Sequence, residues 1–549
     1  MSTDMGTSTT TDAAALIREG RTALGIEFGS TRIKACLVGE NPTEVLAVGT
    51  HDWENEFVDR RWTYSLDAVE AGLQAAYAAL VADAVARHGV APTTFGAIGV
   101  SAMMHGYLAF DADDALLVPF RTWRNTSTGP AAAELSERFG VNIPLRWSIA
   151  HLHQAVLDGE PHLSEVRFVT TLAGYVHWRL TGRRVLGVGD ASGMFPIDSS
   201  TLDYDARLIA AYDGLAADKL PVAGVADLLP AVLPAGADAG TLTPEGAAYL
   251  DPTGALRAGA LLCPPEGDAG TGMVATNSVA PRTGNVSAGT SIFAMVVLER
   301  ALEHVHHELD LVTTPAGDPV AMVHCNNGAS ELAGWVSLFS RFAAASGTPV
   351  DPDAAFGVLL REALDGEADA GGIIAYNHLA GEPIAGLAEG RPLVVRTPDS
   401  RLTLANFMRA QVYGVYGTLS LGMRVLAAEG VSLDRLFAHG GIFRTAGVAQ
   451  RLLAGALDAP VAVGETASEG GAWGIAVLAS FAAAAATAAA DGSRAASALD
   501  LKTYLEKHVF RDARFDTVDP DPADVAGFAA FLDRYRAGLA AESAAVQAL

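Results

Sequence analysis

The stretch Leu24–Val38, LGIEFGSTRIKACLV, joins an apolar run to a second run of mixed apolar and polar residues through a Gly-Ser-Thr turn. Alternation at a two-residue period predicts a strand on each side, and Gly29 supplies the backbone freedom that such a turn needs. Ser30 and Thr31 place hydroxyls beside the turn amides, a combination that suits an anion. An ordinary hairpin in a core sheet has the same local signature, and the stretch alone leaves both readings open. It contains no GxxxxGK[ST] run, so a P-loop is not its explanation.

The rest of the chain narrows the choice. At 549 residues, half of them hydrophobic, it is long enough for two large domains with a core each. Its 57 glycines and short alanine runs fit a turn-rich α/β protein. Lys and Arg number 37 against 63 Asp and Glu, a formal charge of -26. A polyanion would meet net repulsion, so no nucleic-acid partner is expected, whereas a small phosphorylated ligand needs only a local cationic site. The cysteines, Cys36, Cys263 and Cys325, show no CxxC or zinc-knuckle spacing and read as reduced, cytoplasmic thiols. The polar start, Met1 to Asp12, lacks a secretory pattern, and Ala482 to Ala490 is too short to cross a bilayer, so no membrane partner is expected.

Along the chain, 1–22 reads as a flexible lead, with the first strand near Ala23. Ser65 to Gly89 has helical spacing, and TTFGAIGVSAMMHGYLAFD (Thr93–Asp111) reads as strand, turn and strand. Ala131 to Gly140 and Val166 to Leu180 read as helical. A second strand-rich unit opens at GNVSAGTSIFAMVVLE (Gly284–Glu299), and a long helix follows from Leu404 to Gly430. Segments 365–371 and 381–398 read as surface loops, and Pro520–Pro522 precedes a final helix. The organisation is α/β. His151, His153, His304, His306 and His307 lack a zinc ligand pattern and read as dispersed polar-face residues.

Five stretches, in this order, carry a family resemblance: GIEFGSTRIKA (Gly25–Ala35), SAMMHGYLAFD (Ser101–Asp111), CPPEGDAGTGMV (Cys263–Val274), GNVSAGTSIFAMV (Gly284–Val296), and the long segment from AHGGIFRTAG (Ala438–Gly447) to Ala479. Together they resemble the FGGY carbohydrate kinases, and in motif character the xylulokinase-like members. The resemblance implies a two-domain actin/hexokinase-like ATPase fold with an interdomain active-site cleft, a sugar-binding domain over 23–272 and a nucleotide-binding domain over 273–549 with a C-terminal helical extension. It implies ATP and Mg2+ as cofactors, a small sugar or polyol as substrate, and a monomer or homodimer. Phosphorylation of xylulose or another ketopentose is the leading expectation. Another ketose, a polyol or a sugar acid is the alternative, followed by a non-catalytic nucleotide-dependent regulator.

The resemblance also places residues. Asp268, between the small Gly267 and Ala269, falls at the base position, where a sugar hydroxyl attacking the γ-phosphorus needs its proton accepted. Capping of a turn or helix is the alternative for Glu266 and Asp268. Glu27 stands where the family more often has Asp; beside a phosphate tail it suits Mg2+ better than sugar deprotonation. Gly29, Ser30 and Thr31, and likewise Gly289, Thr290 and Ser291, fall in the two phosphate motifs. Gly440, Gly441 and Arg444 fall at the adenosine motif, with Gln450 nearby. Met104 and His105 match the substrate loop, in which Met103 replaces a glutamine. Trp123, Arg124 and Asn125 lie where xylulokinase-like members carry Trp-Asn-Asp-x-Arg. Asp190 and Ser192 resemble a recurring family turn, Asn326, Asn327 and Gly328 read as a turn or a nucleotide contact, and Trp473 reads as scaffold.

Overall fold

The computed structural model describes residues 12–464, 470–490 and 499–549. The opening stretch is a hairpin: β1 (Ala23–Phe28) pairs antiparallel with β2 (Arg32–Val38), in a register that closes at Phe28 opposite Ile33. Strand β3 (Val45–Asp52) continues antiparallel on β2. On the other side, β4 (Ala97–Ala102) runs parallel to β1 from Ala23 opposite Ala97 to Phe28 opposite Ala102. The short strands β5 (Leu261–Leu262) and β6 (Glu266–Gly267) both lie parallel to β4.

Before this sheet, helix α1 spans Ala13–Glu19 and buries Leu16 and Ile17. The expected flexible lead over 1–22 is therefore ordered from Asp12 onward, because an Asp12 cap and two apolar anchors suffice for two turns packed on a core; residues 1–11 lie outside the described residues. Helix α2 (Leu66–His88) begins at Ser65, whose side chain accepts the Ala68 N–H, and ends at Gly89 in the left-handed region (φ 70°). It matches the expected Ser65–Gly89 segment and links β3 to β4. The expected Val166–Leu180 helix is instead a strand, Phe168–Thr170, followed by a helix, Leu172–Thr181, which Thr171 caps.

A second unit repeats the topology. Strand β7 (Thr283–Ala288) pairs antiparallel with β8 (Ile292–Val297), and β8 with β9 (Pro319–Cys325). Strand β10 (Arg435–His439) is parallel to β7, and β11 (Val461–Gly464) is parallel to β10. Helix α4 (Leu404–Ala428) links β9 to β10 as α2 links β3 to β4; α3 is the intervening helix Asp268–Ala275 of the first unit. Each unit has its own apolar core.

The two compact units are discontinuous in sequence. The first unit runs to Asn277, then regains Val312–Asp318 and the segment 468–512; the second holds the remainder. Helix α5 (Gly470–Ala490) explains the return. It packs on β1, β4 and α3, and its apolar run is longer than Ala482–Ala490. At 21 residues and mean hydropathy 1.7, it is one of two helices among the described residues, with α2, long and apolar enough to cross a membrane by length and composition, yet 56% of that stretch is buried in the fold. Sequence continuity could not reveal that its apolar face belongs to a sheet built from the start of the chain.

Alternation along β1 sorts its two faces. Leu24, Ile26 and Phe28 enter the core shared with α2, while Gly25 and Glu27 face α5. A Cβ on Gly25 would stand 2.1 Å from the Ala472 carbonyl oxygen and 2.6 Å from the Ala476 nitrogen. Gly25→Val is therefore expected to destabilise the first unit by about 1–3 kcal/mol or more, read by calorimetry as a lower unfolding midpoint. A wild-type midpoint would show that α5 does not lie this close to β1.

Candidate active site

The turn between β1 and β2 is fixed from one side. The Trp53 indole N–H donates to the Gly29 carbonyl at 2.7 Å, and the Tyr64 hydroxyl donates to the Ser30 carbonyl at 2.6 Å. The two rings stack with centroids 4.1 Å apart, and the Trp53 N–H donates to the Thr31 carbonyl at 3.1 Å. In a trans peptide the C=O and the next N–H point in opposite directions. Pinning the carbonyls of Gly29 and Ser30 thus aims the amides of Ser30 and Thr31 away from the aromatic pair, the arrangement an anion needs. Trp123, half-buried, donates from its indole to Ser30 Oγ at 3.3 Å.

The second turn reaches the same arrangement without aromatic rings. The Gly289 carbonyl accepts the Ala329 N–H at 2.8 Å, and the Thr290 carbonyl accepts the Gly328 N–H at 2.7 Å. The amides of Thr290 and Ser291 consequently face the other way. Gly289 and Thr290 are exposed, as are Gly440, Gly441 and Arg444. Gly440 (φ 118°) lies against β7, where a Cβ would stand 2.1 Å from the Ala288 carbonyl oxygen.

Glu27 ends the α5-facing row of β1. Its carboxylate accepts the backbone N–H of Ala472 at the start of α5 and lies 3.8 Å from Lys34 Nζ. Burial pushes its pKa up to about 7, Lys34 opposes the rise, and Asp268 adds to it. Its donor set fits Mg2+, a hard cation that commonly takes one or two protein carboxylates and completes its shell with water and phosphate oxygens. An ionised Asp268 disfavours ionisation of Glu27, a cost that a divalent cation would relieve.

Asp268 is the first residue of α3, and its side chain is exposed. Met104 N–H donates to Asp268 Oδ1 at 3.2 Å. Desolvation raises the carboxyl to about 6, against the lowering effect of the Met104 and Ala269 amides and of Arg146. Met104 begins a turn in which His105 (φ 69°) and Gly106 (φ 91°) are both left-handed. For His105 that conformation is uncommon, and it seats the ring in the interior. His105 Nδ1 is 3.1 Å from the Gly193 carbonyl, and the ring lies nearly parallel to Trp147 at 6.4 Å.

Behind Asp268 lie two further carboxyls. Glu266 is buried and accepts the Asp190 N–H at 2.9 Å and the Gly189 N–H at 3.4 Å. It fits because Gly187 and Gly189 carry no side chains; a Cβ on either would fall 2.2 or 2.4 Å from its oxygens. Burial holds its pKa well above the carboxylate range, with Asp190 adding to the rise. Asp190 is buried, accepts the Thr171 hydroxyl at 2.6 Å, and is raised to about 7 by burial, with Asp268 adding to the rise. Its Oδ1 has no hydrogen-bond partner among the described residues.

Other expected contacts act at one remove. Asn125 is buried with its amide committed to backbone: Oδ1 accepts the Trp62 N–H at 2.9 Å, and Nδ2 donates to the carbonyls of Trp62 at 2.8 Å and Thr122 at 3.0 Å. These bonds strap the loop that carries Trp123 and Arg124. Arg124 is exposed and stacks on Trp62, its guanidinium 4.4 Å from the ring centre. Gln450 is buried and donates to the carbonyls of Val461 and Asp516. Asn327 bonds Glu382 and the Ala380 carbonyl. Trp473 donates to the Pro42 carbonyl at 2.7 Å, a scaffold contact. Trp53, Tyr64, Glu266 and Arg146 escaped sequence reasoning, since none lies in a phosphate or substrate motif except Glu266, which was weighed only as a cap.

With this geometry in view, the comparisons are decisive for the family. Residues 22–253 match the N-terminal domain, and residues 284–483 the C-terminal domain, of the FGGY family of carbohydrate kinases. The chain belongs to this family. It is an ATP-dependent carbohydrate kinase with the family's two-domain α/β fold. Similar solved structures include a xyloylose kinase from Brucella ovis (TM-score 0.75, 21% identity, covering 95% of this chain and 99% of that one). A xylulose kinase from Rhodospirillum rubrum is similar at TM-score 0.73 and 20% identity, with 95% and 99% covered. A gluconate kinase from Lactobacillus acidophilus is similar at TM-score 0.72 and 17% identity, again with 95% and 99% covered. At these identities the likeness is one of fold.

The buried carboxyl gives a pH test in this kinase. Because the folded Asp190 binds its proton more tightly than the unfolded residue, its contribution is fully present below the ordinary aspartate value of 3.8 and lost as pH rises through about 7. Asp190→Asn is expected to shrink the fall in thermal midpoint between about pH 5 and pH 8. An undiminished fall would show that Asp190 titrates as an ordinary carboxylate.

Proposed function

We propose that this kinase phosphorylates a ketopentose of the xylulose type, with Asp268 as the general base. The observation that carries the reading is the state of Asp268: an exposed carboxylate with one oxygen held by the Met104 amide, its pKa raised to about 6. A base with a pKa just below neutrality is ionised at working pH and still a good proton acceptor. The sugar hydroxyl gives its proton to Asp268 while its oxygen bonds the γ-phosphorus in line, and ADP leaves with the electron pair of the broken P–O bond.

Met104, whose amide orients the base, and the neighbouring His105 shape the sugar side, with Trp123 and Arg124 beside them. In the first unit the amides of Ser30 and Thr31, with Gly29 allowing close approach, serve the phosphates. In the second, Gly289, Thr290, Ser291, Gly440, Gly441 and Arg444 serve the nucleotide. Glu27 holds Mg2+, directly or through water; the ion, when bound, neutralises charge developing on the phosphate oxygens.

A sugar acid is the second reading. Arg146 lies near enough to Asp268 to lower its pKa, and a cation beside the base offers a partner for a substrate carboxylate.

Measuring ADP release over ketopentoses, polyols and aldonic acids separates these readings, with mass spectrometry of the phosphate ester identifying the product. Ketopentose turnover exceeding that of aldonates is expected; the reverse order favours the sugar acid. Asp268→Asn should lower kcat by roughly 10²–10⁴-fold while nucleotide binding is largely kept, and wild-type transfer by this variant would remove Asp268 from the role. Since the base must be ionised, kcat/KM of the wild type should be level above neutrality and fall about tenfold per pH unit below about 6.

A further inference from the structure

Two histidines without a metal motif in sequence converge on one carboxylate in the second unit. His304 and His306 follow β8, and Glu429 is the residue at which α4 ends. His304 Nδ1 lies 2.9 Å, and His306 Nε2 2.7 Å, from the same Glu429 Oε1. All three potential ligand atoms fall within 4.8 Å of one another.

Glu429 is held ready by the backbone around it. Its Oε2 accepts the Glu303 N–H at 2.8 Å, and its own carbonyl accepts a guanidinium N–H of Arg300 at 3.3 Å. The carboxylate side chain is 5% exposed and the His304 side chain 74% exposed, so one ligand is fixed in the protein and another stands at the surface. A carboxylate at the C-terminal end of a long helix faces the negative end of the helix dipole. That position disfavours a lone anion and favours a cation bound to it.

Two imidazole nitrogens and one carboxylate oxygen form a donor set of the zinc class, whereas Mg2+ and Ca2+ prefer all-oxygen shells. With metal–ligand bonds of about 2.0–2.2 Å, tetrahedral ligands lie roughly 3.3–3.5 Å apart. Rotation of the exposed His304 ring and a small withdrawal of His306 would reach that spacing, leaving a fourth position for water. We infer that His304, His306 and Glu429 form a binding site for a zinc-class divalent ion, which ties the segment after β8 to the end of α4.

Metal binding, rather than sugar phosphorylation, is the readout. The full chain, stripped with a chelator, is titrated with Zn2+ by calorimetry near neutral pH, and Co2+ is followed by its visible absorption. About one equivalent should bind at this site in the wild type, with Co2+ bands typical of a four-coordinate nitrogen/oxygen site. His304→Ala and His306→Ala should each weaken that binding by at least about tenfold, and His307→Ala should leave it unchanged. Because His304 is exposed, its replacement leaves the fold intact, which circular dichroism checks. No stoichiometric binding by the wild type, equal binding by the His304→Ala/His306→Ala double variant, or an equal loss in His307→Ala would overturn the site.

Discussion

Strand β1 lies so close to α5 that no side chain fits between them at Gly25, where a Cβ would stand 2.1 Å from the Ala472 carbonyl oxygen. This approach sets more than packing. Two residues along the same face, Glu27 meets the first turn of α5 and accepts the Ala472 amide. Gly471 repeats the constraint from the helix side, since a Cβ there would stand 2.3 Å from Glu27 Oε1. At Gly474, α5 touches the α3 backbone, with 2.1 Å from a Cβ to the Thr271 carbonyl oxygen. Helix α3 starts with Asp268, so the strand that bears Glu27 and the helix that bears Asp268 are both placed by one apolar helix.

The carboxyls of the first unit then divide by environment. Glu266 and Asp190 are sealed from water, and their pKa values rise well above the usual range and to about 7, respectively. Asp268 reaches the surface, yet desolvation still raises it to about 6, against the lowering effect of the Met104 and Ala269 amides. The charge of an ionised Asp268 adds to the rise of Asp190. Burial that keeps two of these carboxyls protonated leaves less negative charge packed around the third. The glycines at 187 and 189 are part of this device, because they make the space in which Glu266 bonds the Asp190 and Gly189 amides.

Much of this was legible in the sequence wherever the cause is local. The two-residue alternation of β1, the turn at Gly29, the helical spacing of Ser65–Gly89 and the order of the motifs follow from neighbouring residues. What escaped depends on distant partners. The bonds of Asn125 to the Trp62 backbone join residues 63 apart in sequence. Helix α5 follows the second unit's strands in sequence, yet the surface that buries it is made by β1 and β4. His306 and Glu429 are 123 residues apart, so no spacing rule could join them.

The two units illustrate how one topology can reach the same local end by different chemistry. Each begins with two antiparallel strands around a short Gly-containing turn, and in each the carbonyls of that turn are taken by donors on one side. In the first unit the donors are the side chains of Trp53 and Tyr64; in the second they are the backbone amides of Ala329 and Gly328. Gly328 must be glycine for this, since its Cβ would stand 2.4 Å from the Gly289 carbonyl oxygen. What the repeat preserves is therefore the orientation of peptide dipoles, with amides turned outward, and not the residues that impose it. A hairpin that only closed a core sheet would need its ladder alone; the additional donors fix the turn in the orientation that suits an anion.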